Sequence, residues 1–332
     1  MKICVISNGS FGTCLASILC ENGHEVILWG HEVDYVEEMK VTRKNPRYLK
    51  GFDLPEKLGL SSDLSEATDG AELIVLATPT QFMRSSIEGL AKLSLKNPLF
   101  ANVAKGIEVK SLKRISELVE EYFPGNHRFV ALAGPSHAEE AVAKIPTALV
   151  AASEDKDCAE IVQTAFMNDY VRIYTSDDVT GVELGGALKN IFAIAAGIID
   201  GMGLGDNTKA ALMTRGIVEM ARLGEALGGK PETFNGLSGI GDLIVTCTSQ
   251  HSRNRFVGQE LGKGRNMSDI QKDMGHAVAE GVKTTESAWN LARKLNVETP
   301  IIDEAYAVLY QDADPKEAVY RLMTRDAKEE QI

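Results

Sequence analysis

The sequence predicts two parts: an α/β domain on a doubly wound parallel sheet at residues 1–176, then an all-α domain at 177–332. Two observations carry this. In the first half, short apolar runs alternate with stretches of helical period, as strands joined by crossover helices require. After residue 176 strand signals all but vanish and long helical periods take over. A length of 332 residues is enough for each part to bury its own core.

Residues 2–6, 25–29, 73–77, 99–102 and 129–133 read as buried strands, rich in Val, Ile, Leu and Phe and ended by Gly, Ser, Thr or Pro. Between the first two lies a helical stretch, 11–21, closed by Asn22-Gly23. Helical periods recur at 81–93 and 111–122, and 147–152 and 171–175 read as further strands. Beyond residue 176 the helical stretches are 179–199, 207–227, 253–262, 284–295 and 302–308. There is no internal repeat, low-complexity tract or Pro/Ser-rich linker.

Hydrophobic residues make up 44% and charged residues 25%, a globular balance. The formal net charge of −12 argues against broad binding to nucleic acid or anionic lipid, though a local phosphate pocket remains compatible with it. The five cysteines are odd in number and widely spaced, with no Cys-x-x-Cys, and the six histidines lack zinc-ligand spacing. Reduced, packed thiols and no metal site are expected. The apolar run Ile3–Ile6 is too short for a signal-peptide core, and no segment reads as the ~18 apolar residues of a spanning helix. A cytoplasmic protein without stable membrane insertion is the expectation.

After the first strand comes Ser7-Asn8-Gly9-Ser10-Phe11-Gly12, opening a helix. In a dinucleotide fingerprint, glycines provide a tight turn, backbone approach to the pyrophosphate, and close helix–strand packing. Gly9 and Gly12 fill the second and third places, but Ser7 stands at the first. The spacing of strand, turn, helix and second strand suits a Rossmann-type βαβ unit, with the pyrophosphate at the helix N-terminus. A bland strand–turn–helix connection is the alternative. At the end of the second strand, His31 suits a 2′-phosphate and Glu32 a ribose, so the choice between NAD and NADP stays open.

Three segments of the remaining chain bear chemistry. In the first, Glu183 to Ala193, Gly186, Lys189 and Ala193 share a helical face, and Lys189 has no obvious local partner. Glycines inside a helix cost about 1 kcal/mol each, so close approach by a ligand or another element is expected there. A partly desolvated ammonium can exchange protons near neutrality; a snorkelling lysine is the plainer reading. In the second, Asn235 to Ser249 is glycine-rich and contains Asp242, and Ser252-Arg253-Asn254-Arg255 follows. Hydroxyl, guanidinium and amide suit phosphate oxygens, although Ser252 also suits a helix cap. The third comprises Ala104-Lys105-Gly106-Ile107-Glu108 and Gly134-Pro135-Ser136-His137-Ala138, at carboxyl ends of strands, where ligands sit in open α/β sheets.

In this order and spacing, together with Gly205-Asp206-Asn207-Thr208-Lys209 and Glu280-Gly281-Val282, these motifs resemble those of the bacterial NAD(P)-dependent glycerol-3-phosphate dehydrogenase family over nearly the whole chain. The resemblance implies a second domain like the helical one of 6-phosphogluconate dehydrogenase. It implies reduction of dihydroxyacetone phosphate to sn-glycerol 3-phosphate, with Lys189 as proton donor and Lys105 beside it at the substrate. Gly134, Ser136, Asp242, Ser252, Arg253 and Asn254 match substrate-binding positions. Gly9, Ser10, Phe11, Gly12, His31 and Lys105 match cofactor contacts, as do Ala138, Arg253, Val278 and Glu280. The family usually has Gly at position 7 and Trp or Tyr at position 11. A homodimer supplying glycerophospholipid synthesis, with no nucleic-acid partner, is implied as well. Two alternatives stand: a 3-hydroxyacid or 6-phosphogluconate-type dehydrogenase, and a non-catalytic nucleotide-sensing protein of the same fold.

Overall fold

A computed structural model describes residues 1–275 and 277–330. The chain divides into two compact units, one of residues 1–105 and 113–179, the other of residues 106–112 and 180–332.

The first unit is built on an eight-stranded sheet. Its strands are β1 (Lys2–Ile6), β2 (Glu25–Trp29), β5 (Gly59–Ser61), β6 (Leu73–Leu76), β7 (Leu99–Asn102), β8 (Arg128–Ala133), β9 (Thr147–Ala152) and β10 (Val171–Ser176). They lie in the order β10-β9-β8-β7-β6-β1-β2-β5. A separate antiparallel pair, β3 (Lys44–Asn45) and β4 (Leu49–Asp53), follows the second helix. Alternate residues of β1 enter different cores: Ile3 and Val5 join one, Cys4 and Ile6 the other. That period of two is what a sheet covered on both faces requires.

The sheet departs from the expected all-parallel arrangement at one junction. β8 and β9 pair antiparallel, Leu132 opposite Ala151, and β10 runs parallel to β9. The connection holds only the short helix Ala138–Val142. At this junction the chain turns back instead of crossing over. The helix expected at 111–122 begins at Ile115, capped by Arg114, whose N–H donates to Glu117. The residues before it, 106–112, belong to the other unit: Ile107 is fully buried in that core and its carbonyl accepts from the Ser287 hydroxyl.

The second unit is helical, centred on Val179–Met202, whose residues 181–194 are all buried. The sequence shows no segment expected to span a membrane. This helix meets the criterion by length and composition, at mean hydropathy 1.5, yet 94% of that window is buried inside the protein. Its hydropathy reflects a core location. Arg253–Gly262 crosses it backbone to backbone, because Cβ atoms at Gly197 or Gly258 would overlap the carbonyl oxygens of Arg255 or Ile194.

Candidate active site

In the first unit the nucleotide-like turn joins β1 to the helix Ser10–Glu21. A Cβ at Gly12 would overlap the Ser7 carbonyl oxygen, so this glycine permits the close strand–helix packing. At Gly9 a Cβ would meet nothing nearer than Ser7 Oγ at 3.6 Å; its bareness keeps outer space clear for a ligand. Ser7 has φ +97°, a conformation that glycine adopts freely and serine does not. Ser7→Gly should therefore stabilise the first unit by about 1 kcal/mol, raising its melting temperature by about 2–4 °C. Calorimetry showing no rise would remove the strain argument.

β7 ends in a local turn in which the Asn102 side chain receives the Ala104 N–H and donates to its carbonyl, presenting Lys105. Lys105 Nζ donates to Gly134 O at 2.9 Å and to Ser136 Oγ at 3.4 Å, and lies 6.0 Å from the Phe11 ring centre. Gly134 has φ +137°, and a Cβ there would press on Ala148 O at 3.0 Å. Thus Phe11, Lys105, Gly134 and Ser136 converge at the carboxyl ends of β1, β7 and β8. Ala138 opens the short helix that follows.

At the end of β2 stand His31 and Glu32, the two residues that the sequence suggests for the cofactor's ribose end. His31 is exposed, and Glu32 is gripped through both oxygens by Arg47 at 2.7 and 2.8 Å. Neither Arg47 nor its neighbour Tyr48 stands out in the sequence, because 43–53 carries no clear period. The pairing joins residues 15 positions apart around a helix and a turn.

In the second unit Lys189 is 5% exposed and Asp242 1%. The Lys189 ammonium donates to Asp242 Oδ1 at 2.7 Å and to Thr246 Oγ1 at 2.6 Å. Asp242 and Thr246 sit one turn apart on the helix Asp242–Thr248, and Thr246 donates back to Asp242 O at 2.6 Å. A π-helical turn, Leu237–Gly241, leads into that helix. It brings the Ser238 carbonyl so close to the lysine's helix that a Cβ at Gly185 would stand 2.6 Å from it. This accounts for one of the helix glycines by close approach of another backbone segment. Neighbouring Asn190 accepts from Asn254 Nδ2 at 2.9 Å, and Asn254 Oδ1 accepts from Gly281 N at 2.9 Å. Burial pushes the Cys247 thiol up to about 12, so it is no nucleophile at neutral pH.

Comparison with known proteins agrees with this pairing of parts. The family model for the NAD-dependent glycerol-3-phosphate dehydrogenase N-terminus matches residues 2–159, and that for the C-terminus matches residues 178–320. The chain belongs to the NAD(P)-dependent glycerol-3-phosphate dehydrogenase family. Glycerol-3-phosphate dehydrogenase [NAD(P)+] of Lysinibacillus sphaericus is 50% identical over 99% of this chain and 98% of its own. The Staphylococcus haemolyticus protein of the same name is 49% identical over 99% of both. The crystal structure of the Coxiella burnetii glycerol-3-phosphate dehydrogenase superposes with TM-score 0.94 at 38% identity, covering 97% of this chain and 98% of that one.

The turn after β1 fits a dinucleotide on its own chemistry. Ser10 Oγ is buried at the helix N-terminus without a hydrogen-bond partner, beside the open space over Gly9. In the helical unit, Ser252 caps Arg253–Gly262 by accepting from Arg255 N at 3.2 Å, the plainer of its two expected roles. Arg253 is exposed, Val278 is 37% exposed and Glu280 opens the helix Glu280–Leu295. Among the described residues no cluster of metal-ligating side chains occurs. Thr246 is absent from the residues the sequence suggests; its spacing of four from Asp242 is the available signal.

Proposed function

We infer that this chain reduces dihydroxyacetone phosphate to sn-glycerol 3-phosphate, with Lys189 as the acid that protonates the ketone oxygen. The observation that carries the assignment is a lysine at 5% exposure held as an ion pair with Asp242 at 2.7 Å. Removing an ammonium from water is costly unless a counter-charge and hydrogen bonds replace the solvent. Asp242 and Thr246 do so and fix the amine's direction. A preorganised ammonium stabilises the negative charge that grows on the ketone oxygen and delivers the proton. Bound NADH or NADPH supplies the hydride.

Lys105, held by Gly134 O, adds positive charge at the substrate; Ser136 and Asn254 offer neutral polar groups, and Ser252 and Arg253 the phosphate end. Binding energy from the phosphate, remote from the reacting carbon, then orients the ketone. Gly9, Ser10, Phe11 and Gly12 would hold the cofactor with His31 and Ala138 in the first unit. Arg253, Val278 and Glu280 would do so in the second. Five free cysteines, all buried, support a cytoplasmic location. Family likeness extends the reading to a homodimer that feeds glycerophospholipid synthesis.

Oxidation of NADH and NADPH with dihydroxyacetone phosphate or a 3-oxoacid, and reduction of NAD+ and NADP+ with 6-phosphogluconate, followed in parallel, test this. Turnover confined to the phosphorylated ketone is expected. Turnover with the acids alone would transfer the assignment to the other dehydrogenases. Cofactor binding with no turnover would make the protein a sensor.

A further inference from the structure

The Glu32–Arg47 pair stands where dinucleotide enzymes discriminate between cofactors, at the end of the second strand. An acid there favours the free ribose hydroxyls of NAD, an arginine the 2′-phosphate of NADP. This chain has both, bonded to each other. Arg47 does not hang loosely. Its guanidinium lies 4.0 Å over the Tyr35 ring, and its backbone N–H donates to Tyr35 Oη at 3.0 Å. Tyr35 Oη in turn donates to Asn45 Oδ1 at 2.6 Å. Asn45 Nδ2 donates to Asn8 O and to Thr13 Oγ1, both at 2.8 Å, within the nucleotide turn and its helix. A chain of bonds therefore ties the guanidinium to the turn that would hold the pyrophosphate.

We propose that the Glu32–Arg47 pair is an exchangeable clasp that lets this dehydrogenase accept either cofactor, with Arg47 taking the 2′-phosphate of NADP and Glu32 the ribose hydroxyls of NAD. The inference rests on the family reading of the chain as a nicotinamide-dependent dehydrogenase. With NAD the clasp stays closed. A carboxylate has about four lone-pair sites, so Glu32 can bond Arg47 and still accept ribose hydroxyls. With NADP the phosphate replaces the carboxylate, which bonds Arg47 through Nη1, and can engage the guanidinium as a fork. Side-chain exposures of 41% for Glu32 and 27% for Arg47 make the broken pair a partly solvated one. Such a pair is worth about 0–1 kcal/mol, less than a forked arginine–phosphate contact. Tyr35 and Asn45 keep the guanidinium in place throughout the exchange.

The test is binding, read by calorimetry with NADPH and NADH and no substrate, so that it is independent of catalysis. Arg47→Leu should raise the ratio of the NADPH Kd to the NADH Kd by at least about tenfold. Arg47→Lys, which keeps the charge but not the fork, should raise it less. Glu32→Gln should lower the ratio by about threefold or more, because the phosphate no longer meets a competing charge. Circular dichroism confirms that each variant is folded, and the lysine variant serves if the leucine one is not. Ratios unchanged within about twofold in all variants, or moving in one direction for Arg47 and Glu32 alike, would overturn the clasp. Failure of the wild-type protein to bind either cofactor would instead sink the underlying dehydrogenase reading.

Discussion

Replacing Lys189 by Met is expected to lower kcat for dihydroxyacetone phosphate by about a thousandfold, the usual size of a lost general acid. Cofactor affinity should survive, because Lys189 is not among the residues proposed to hold the cofactor and the nucleotide turn does not involve it. Met preserves the length and apolar stem of the side chain but removes the ammonium. Two losses combine: the proton donor, and the positive charge opposite the growing oxyanion. There is also a structural cost. Asp242 is 1% exposed and would lose its cation. Stranding a buried charge costs about 3–5 kcal/mol, unless the carboxyl takes up a proton. The turnover measurement therefore has to be scaled to folded protein, by NADH titration of the same samples. A kcat within tenfold of wild type on that scale would exclude Lys189 as the acid.

Gly258→Ala is expected to destabilise the helical unit by about 3 kcal/mol, at the upper end for overpacking, lowering its melting temperature by about 6–12 °C. The clash would be with Ile194 O, a backbone atom, and the reciprocal positions Gly197, Gly201 and Gly262 are equally tight against the facing backbone. No side-chain rotation can relieve such a contact; the helices must part. They carry Asn190 and Asn254, whose bond at 2.9 Å sets the register between the lysine's helix and the Ser252-capped one. Lower kcat should accompany the lower melting temperature. A fall of less than about 2 °C in differential scanning calorimetry would show that the crossing tolerates a methyl group.

The first unit is legible where its signals are local. β1, β2, β7 and β9 follow from apolar runs bounded by breakers, and their bounds match. The small strands Lys44–Asn45, Leu49–Asp53 and Gly59–Ser61 are not legible, because they are short, polar or glycine-containing. The reversal at β9 carries no signal in the strand's own residues, which read like those of its parallel neighbours. In the helical unit Lys189 stands out as a charge among glycines and apolar residues, and of its two readings, desolvated or snorkelling, the structure has it buried. Its partner is invisible in the local pattern: Asp242 lies 53 positions away, and only the π-turn at Leu237–Gly241 aims it back. The glycines of Gly258 to Gly264 lack the spacing of a phosphate loop; Gly258 and Gly262 prove to be packing sites for a helix crossing. Periodicity reveals elements, while pairing between distant elements needs their three-dimensional arrangement.

The pH dependence of kcat for ketone reduction, in wild-type and Asp242→Asn protein, tests most directly whether an ammonium held by Asp242 supplies the proton. A nearby carboxylate favours the charged amine, and burial without it favours the neutral one. The amide would keep the shape of the carboxylate and remove its charge, so activity should fall away at lower pH than in wild type. An alkaline limb at the same pH in both proteins would place the proton donor elsewhere.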